Sequence, residues 1–325
     1  MGQVTRRDFQ KTALGLGLST GLTTALGSGR LSGANSGVAE RASPAESFRG
    51  PYCFFSKHLP DLAWGELGRT VKEAGFDGVD LTVRPEGHVL PERVATDLPR
   101  AIEAIAASGV PVPMVTTSLL SAEDPAAVPT FEAASKGGVR LLKPGYYKYS
   151  LKDVPRELAD AGRQLASLAD LGRRYDMVVG YHTHAGYVGG PTLDFLPEIE
   201  KLDAQVVGVY FDIRHAVIEG GRIGWQLAAA LAMPRLRMIA VKDCVWRKDE
   251  KGRWRDGHCP LGEGMVDWPA FCRMLAQADY QGPVSMHIEY DIDGATPASR
   301  RDGMIEAARR DLAFVKGQME EAYRG

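Results

Sequence analysis

Seven histidines give the first hint of chemistry, because imidazole changes charge and binds metals near neutral pH. They are His58, His88, His182, His184, His215, His258 and His287. Two pairs are spaced by two, His182 with His184 and His287 with Glu289, and in a strand such pairs point to one side. Carboxylates and cations stand nearby: Asp80 and Arg84, Asp212 three residues before His215, and Lys242 beside Asp243. Such a collection suits a divalent metal (Mn²⁺, Zn²⁺, Co²⁺ or Fe²⁺), or acid–base work by the imidazoles themselves. Glu289 and His184 are the candidate bases and Lys242 the candidate electrophile, with Asp243 helping to hold its charge.

Two further segments are candidates for holding a substrate. Arg84-Pro85-Glu86-Gly87-His88-Val89-Leu90-Pro91 reads as a stiff loop in which Arg84 and His88 would meet hydroxyls or an anionic group. The run Gly145-Tyr146-Tyr147-Lys148-Tyr149 offers an aromatic face on which a sugar would stack, with Tyr147 as its candidate contact. His215 and Asp243 complete the substrate-binding candidates.

These residues are far apart in the chain, so a scaffold must gather them. Eight short apolar or β-branched runs alternate with helical patterns: Pro51–Phe55, Gly78–Val83, Pro111–Leu119, Gly138–Lys143, Met177–Tyr181, Val206–Asp212, Leu236–Lys242 and Pro283–Tyr290. Helical periodicity fills Asp61–Ala74, Leu98–Ser108, Val154–Tyr175, Trp268–Ala278 and Ser299–Lys316, several ending at a Gly just before the next run. Eight strand–helix units predict a (β/α)₈ TIM barrel of the α/β class, in which active-site groups sit where strands end. Every histidine falls at such an end or in the loop after it, and none on a helix. A doubly wound sheet is the alternative, but no GxGxxG follows the first run.

The chain has 325 residues, 44% hydrophobic and 25% charged, with a formal net charge of -2 and no long basic run. That excludes nucleic acid as a partner, since phosphates are neutralised by clustered Lys and Arg. Thr5-Arg6-Arg7-Asp8-Phe9-Gln10-Lys11 resembles the twin-arginine export signal, and the weakly apolar Thr12–Leu26 follows it. That stretch is too short and glycine-rich for a stable membrane anchor. The expected organisation is a signal and linker over 1–48 and one barrel over 49–325, exported through the twin-arginine machinery to the periplasm or beyond. A homo-oligomer is compatible with the sequence. Cys53, Cys244, Cys259 and Cys272 have no close metal-ligand spacing and read as buried thiols, although Cys244 and Cys259 are conceivable as a pair across one loop.

Tyr181-His182-Thr183-His184-Ala185-Gly186, Phe211-Asp212-Ile213-Arg214-His215, Val241-Lys242-Asp243, Pro260-Leu261-Gly262-Glu263-Gly264 and Gly282-Pro283-Val284-Ser285 resemble the sugar phosphate isomerase/epimerase family, which shares the xylose-isomerase-like barrel. Inosose and dehydroshikimate dehydratases are similar barrels. The resemblance implies a metal set: a Glu ending the fifth strand, the Asp of an Asp-x-x-His after the sixth, a His two before Lys-Asp, and a Glu on the eighth. Here His182, Ala240 and His287 stand at three of those places and only Asp212 is unchanged, with Glu289 two residues from the last. Two readings follow. Either the metal site is rebuilt from His182, Asp212, His287 and Glu289, or the metal is gone and histidines do acid–base work.

The resemblance implies isomerisation or epimerisation of a sugar or keto sugar, by α-proton abstraction through a metal-stabilised enediolate. Loss of a β-leaving group from the same enediolate would make a keto-sugar lyase or dehydratase. Decay of the ligand set at Ala240 would leave a non-catalytic carbohydrate-binding barrel.

Overall fold

The structure is a computed structural model and describes residues 47–325. The twin-arginine-like segment, the apolar stretch and nearly all of the linker expected over 1–48 lie outside the described residues. Chain order runs β1 (Tyr52–Phe55), α1 (Trp64–Glu73), β2 (Gly78–Val83), α2 (Val94–Ala106), β3 (Met114–Thr117), α3 (Ala127–Lys136), β4 (Leu141–Lys143), α4 (Val154–Tyr175), β5 (Val178–His182), α5 (Leu196–Glu200), β6 (Val207–Asp212) and α6 (Ile213–Ala232). It continues through β7 (Leu236–Val241), β8 (Asp243–Lys248), β9 (Trp254–Cys259), α7 (Trp268–Gln277), β10 (Val284–Met286) and α8 (Pro297–Arg324).

Eight parallel strands close in the order β1-β10-β7-β6-β5-β4-β3-β2, the predicted (β/α)₈ barrel. The ring closes on both sides of β1, where Tyr52 pairs with Val284 and Cys53 with Gly78. Strands such as β2 and β6 are buried along their whole length, as expected of a parallel sheet covered by helices. Gly75 and Gly109 follow α1 and α2 with φ of 90° and 79°, a left-handed turn that glycine makes without strain. Asp153 caps α4 by accepting the Arg156 amide at 3.2 Å.

The barrel interior has its own small cluster: Met114, Tyr210, Met238 and Ala240. Gly180 on β5 belongs to this packing, because a β-carbon there would overlap the Met238 methyl. The main core lies between the strands and the helical ring, with Leu67, Leu98, Phe131, Leu165, Phe211 and Phe271 fully buried.

Three features differ from expectation. The segment after β7 is a two-stranded antiparallel hairpin, β8–β9, in register from Asp243↔Cys259 to Lys248↔Trp254. His258 therefore sits on a strand. The eighth barrel strand spans only Val284–Met286, so His287 and Glu289 follow it. The reason is that β1 turns into a 3₁₀ helix at Ser56–His58. The Ile288 amide is then met by the His58 Nε2 lone pair at 3.1 Å in place of a ladder carbonyl. Finally, α6 follows β6 without a loop: Asp212 ends the strand and caps the helix, accepting the His215 amide at 3.2 Å. All four cysteines are buried free thiols.

Candidate active site

A cleft of about 90 Å³ opens at the C-terminal end of the barrel. Phe55, Lys57, Arg84, Thr116, Tyr146, His182, His184, Tyr210, Lys242, His287 and Glu289 line it, so all eight barrel strands contribute at or just past their ends.

Its floor is Asp80 on β2, which accepts hydrogen bonds from Thr116 Oγ1 and Ser285 Oγ, each at 2.7 Å, and from the Tyr210 hydroxyl at 3.4 Å. Burial lifts its carboxyl to about 6, against the pull of those donors. Above the floor the Tyr210 ring stacks on His182, centroids 4.3 Å apart, and its oxygen lies 3.2 Å from His287 Nε2. A face of the His287 ring stacks on Phe55 at 4.3 Å.

On one wall runs a chain of three groups. His182 Nε2 is 3.0 Å from Asp212 Oδ2, and its Nδ1 is 2.8 Å from the Tyr146 hydroxyl. Burial depresses the His182 imidazolium to about 3, so the ring is neutral at pH 7. A carboxylate only accepts, so Nε2 carries the proton and Nδ1 accepts from Tyr146. His184 lies beside this chain, its ring 4.7 Å from that of Tyr146 and 3.8 Å from that of His215. Its Nδ1 meets the Ala185 carbonyl at 3.0 Å and must donate there, which leaves the lone pair on Nε2. Burial, then the nearby Lys242 charge, keeps His184 below its usual range.

At the centre is Lys242, buried with 2% exposure. Its Nζ lies 2.9 Å from His215 Nε2, 3.1 Å from Asp212 Oδ2 and 3.1 Å from Glu289 Oε2. Glu289 also meets Lys57 at 3.0 Å. Burial opposes the charge on Asp212 and Glu289. The cations Lys242 and Lys57 and the neighbouring imidazoles outweigh it, so both carboxyls lie well below the usual range. Two buried nitrogens, Arg84 Nε and His287 Nδ1, have no hydrogen-bond partner and belong to cleft-lining residues. A substrate hydroxyl is the kind of group that would satisfy them.

Of the residues singled out in the sequence, His182, His184, Lys242, His287, Glu289 and Arg84 come together in this cleft, with Asp212 and His215 directly behind Lys242. Three do not reach it. His88 donates Nε2–H to the Leu59 carbonyl at 3.1 Å and accepts from Thr82 at 3.3 Å, so both ring nitrogens are spent on the loop. Tyr147 is buried, stacks on Tyr181 at 5.4 Å and donates to the Leu120 carbonyl; its neighbour Tyr146 takes the cleft. Asp243 neither binds in the cleft nor pairs with Lys242. It accepts from the amides of Cys244, Gly262, Gly264 and Val266 and from Trp268 Nε1. The Pro-Leu-Gly-Glu-Gly motif is thus a loop wrapped around one carboxylate, and Gly264 has no room for a β-carbon beside Asp243 Oδ1.

The expected divalent ion was tested against these donors. A metal bound by carboxylate and imidazole needs ligand atoms about 2.0–2.2 Å away on all sides. Among the described residues no three His, Cys, Asp or Glu side chains converge in that way. The point between Asp212, Glu289 and His215 is taken by the Lys242 ammonium. Ala240, paired with Asp212 across β6–β7, offers no ligand. The residues present do not fit the metal set that the resemblance implied.

A closed eight-stranded barrel with a polar, histidine-lined mouth is the architecture of an α/β-barrel protein whose working end is its strand C-termini. The profile of the xylose isomerase-like TIM barrel family matches residues 69–316, and the chain belongs to that family. No curated protein sequence matches it. Among solved structures it is similar to D-psicose 3-epimerase in the presence of D-fructose, at 15% identity and TM-score 0.61 over 83% of this chain and 99% of the other. It is also similar to 3-keto-D-glucoside 4-epimerase from E. coli, at 19% identity and TM-score 0.58 over 78% and 94%. A third is a xylose isomerase-like TIM barrel protein from Mycobacterium smegmatis in complex with magnesium, at 16% identity and TM-score 0.61 over 83% and 98%.

Proposed function

We propose that the chain is a sugar isomerase/epimerase-type enzyme that takes a proton from the carbon α to a carbonyl of a sugar or keto sugar. The observation that carries this reading is His184: a neutral imidazole in the cleft whose lone pair is fixed on Nε2 by the Ala185 carbonyl. Proteins named as a D-psicose 3-epimerase and a 3-keto-D-glucoside 4-epimerase share this fold, which supports a sugar as the substrate class.

His184 Nε2 accepts the proton, the C–H pair becomes the new C=C bond, and the carbonyl π pair moves to oxygen. The field of Lys242 favours that oxygen's charge. Tyr146, swinging its O–H from His182 Nδ1 to the oxyanion, gives it a proton and retrieves one from the neighbouring hydroxyl as the new carbonyl forms. Return of the proton from His184 to the adjoining carbon completes an isomerisation. Delivery to the original carbon from the other side would complete an epimerisation. Glu289 also lines the cleft, but its two ammonium partners make it a poor proton donor, so return by His184 is favoured. The twin-arginine-like leader points to a non-phosphorylated substrate met outside the cytoplasm.

The test is exchange of substrate C–H for deuterium in D₂O, followed by NMR, with D-fructose, D-psicose and a 3-keto-D-glucoside. Exchange with one of them, and its loss by about 100-fold or more in His184→Ala, is the expected outcome. Absence of exchange with all three, or undiminished exchange in the folded variant, sinks the proposal.

A further inference from the structure

We propose that the Lys242 ammonium is a built-in cation that takes the place of a divalent metal in this barrel and keeps such a metal out. Geometry is the first argument. The ammonium donates to Asp212 Oδ2 and Glu289 Oε2, each at 3.1 Å, and lies 2.9 Å from His215 Nε2. A metal drawing on Asp212 and Glu289 would have to sit where this nitrogen sits, and two cations cannot share one position about 3 Å from the same oxygens.

Charge is the second argument. Asp212 and Glu289 supply two negative charges, and Lys242 and Lys57 supply two positive ones. The set balances without an ion. Adding a divalent cation would leave an excess of two positive charges at the cleft, with Arg84 also lining it and Lys143 buried against the Tyr146 ring at 3.4 Å.

The ligands themselves are the third. His182 Nε2 spends its proton on Asp212 and its Nδ1 lone pair on Tyr146, so a metal bond at Nε2 requires the ring to change tautomer and lose its carboxylate. Ala240 alternates with Lys242 along the strand and so shares its face, which puts the truncated side chain next to the long one that fills the space. His287 Nδ1 is unpartnered, yet its carboxylate neighbour Glu289, 4.0 Å away, already faces two ammoniums.

This inference stands on donor geometry and is independent of the sugar-isomerase reading, so its test reads metal binding directly. Full-length protein is titrated with Mn²⁺ and Co²⁺ by calorimetry, with cobalt visible absorption as a second signal. Wild type should show no saturable site below about 1 mM. Lys242→Met, which frees Asp212 and Glu289, should bind at least 100-fold more tightly. The added substitution Asp212→Asn should abolish the gained site. One equivalent of micromolar binding in wild type, lost in Asp212→Asn, would overturn the proposal whether or not Lys242→Met folds. So would a folded Lys242→Met with wild-type affinity.

Discussion

Neutralising Asp212 is the sharpest test of how the mouth is held together. Asp212→Asn keeps shape and keeps the cap, because an amide oxygen still accepts the His215 amide that now lies 3.2 Å from Oδ1. What it removes is the charge on Oδ2, which lies 3.1 Å from Lys242 Nζ and 3.0 Å from His182 Nε2. Coulomb's law at 3.1 Å with an effective dielectric of about 20 gives about 5 kcal/mol for the lost attraction. Part of that is returned because one fewer charge is buried, and Lys242 keeps Glu289. Leaving one member of a buried pair behind costs about 3–5 kcal/mol in general, and the surviving partner sets the expectation near the lower end, about 3 kcal/mol. Urea unfolding of wild type, Asp212→Asn, Lys242→Met and the double variant forms a complete cycle. A coupling of about 2 kcal/mol is expected, the double variant being more stable than the summed singles require. If Asp212→Asn lies within 1 kcal/mol of wild type, or the two losses simply add, the buried pair is not what organises this mouth.

Acid should weaken the fold through the histidines. His58 and His182 titrate near 3 when folded, because burial penalises their charge, against 6.5 unfolded. The unfolded chain therefore takes up protons first, and stability present above 6.5 is lost as pH falls toward 3. Asp80 acts in the opposite sense. Its folded value of about 6 lies above the ordinary 3.8, so its contribution is full below 3.8 and declines as pH rises to 6. Urea midpoints measured from pH 7.5 to 4 should fall, and fall further in Asp80→Asn; a flat profile in Asp80→Asn contradicts the histidine assignment, and equal falls in the two proteins contradict that of Asp80. Gly180→Ala should cost about 1–3 kcal/mol by crowding Met238, and Met238→Ala in the same chain should recover part of it. Asp243→Ala strands five donors, four of them amides of the β8 start and the loop before α7, and limited proteolysis should then cut between Pro260 and Val266. Tyr146→Phe leaves the ring and removes the hydroxyl at His182. It should lower turnover on whichever ketose exchanges, with little change in melting temperature.

The barrel was legible because its strands are continuous apolar runs and its helix ends carry glycine, signals that survive without tertiary context. The hairpin was not. Its residues Arg247, Lys248, Trp254 and Arg255 are exposed, so no burial pattern marks β8 or β9, and only the Asp249–Gly252 turn hints at a reversal. The cleft was partly legible by strand alternation. Ala240 and Lys242 share a face, and the same rule places Asp243 on the other side, away from Lys242. Alternation fails past Pro144-Gly145, where the chain leaves β4, and with it went the means to choose Tyr146 over Tyr147. His88 was misleading for a different reason: its ring is consumed locally by Leu59 and Thr82, contacts between segments that no spacing reveals.

The carboxylate of Asp243 has a bearing on how this chain can change over evolutionary time. It ties the first residue of the hairpin to the loop that enters α7, so the base of the hairpin is anchored at a point that does not depend on what lies farther out. Beyond it, from Trp246 to Arg255, the ribbon is mostly solvent-exposed and carries Trp254 at 61% exposure near its tip. Insertions, deletions or grafted peptides between Asp249 and Gly252 should therefore be tolerated without refitting the barrel. Because His258 on the returning strand lies 3.7 Å from Glu289, variation in this ribbon has a direct route to the cleft. A change there that shifts His258 moves a group beside Glu289 while leaving the barrel strands untouched.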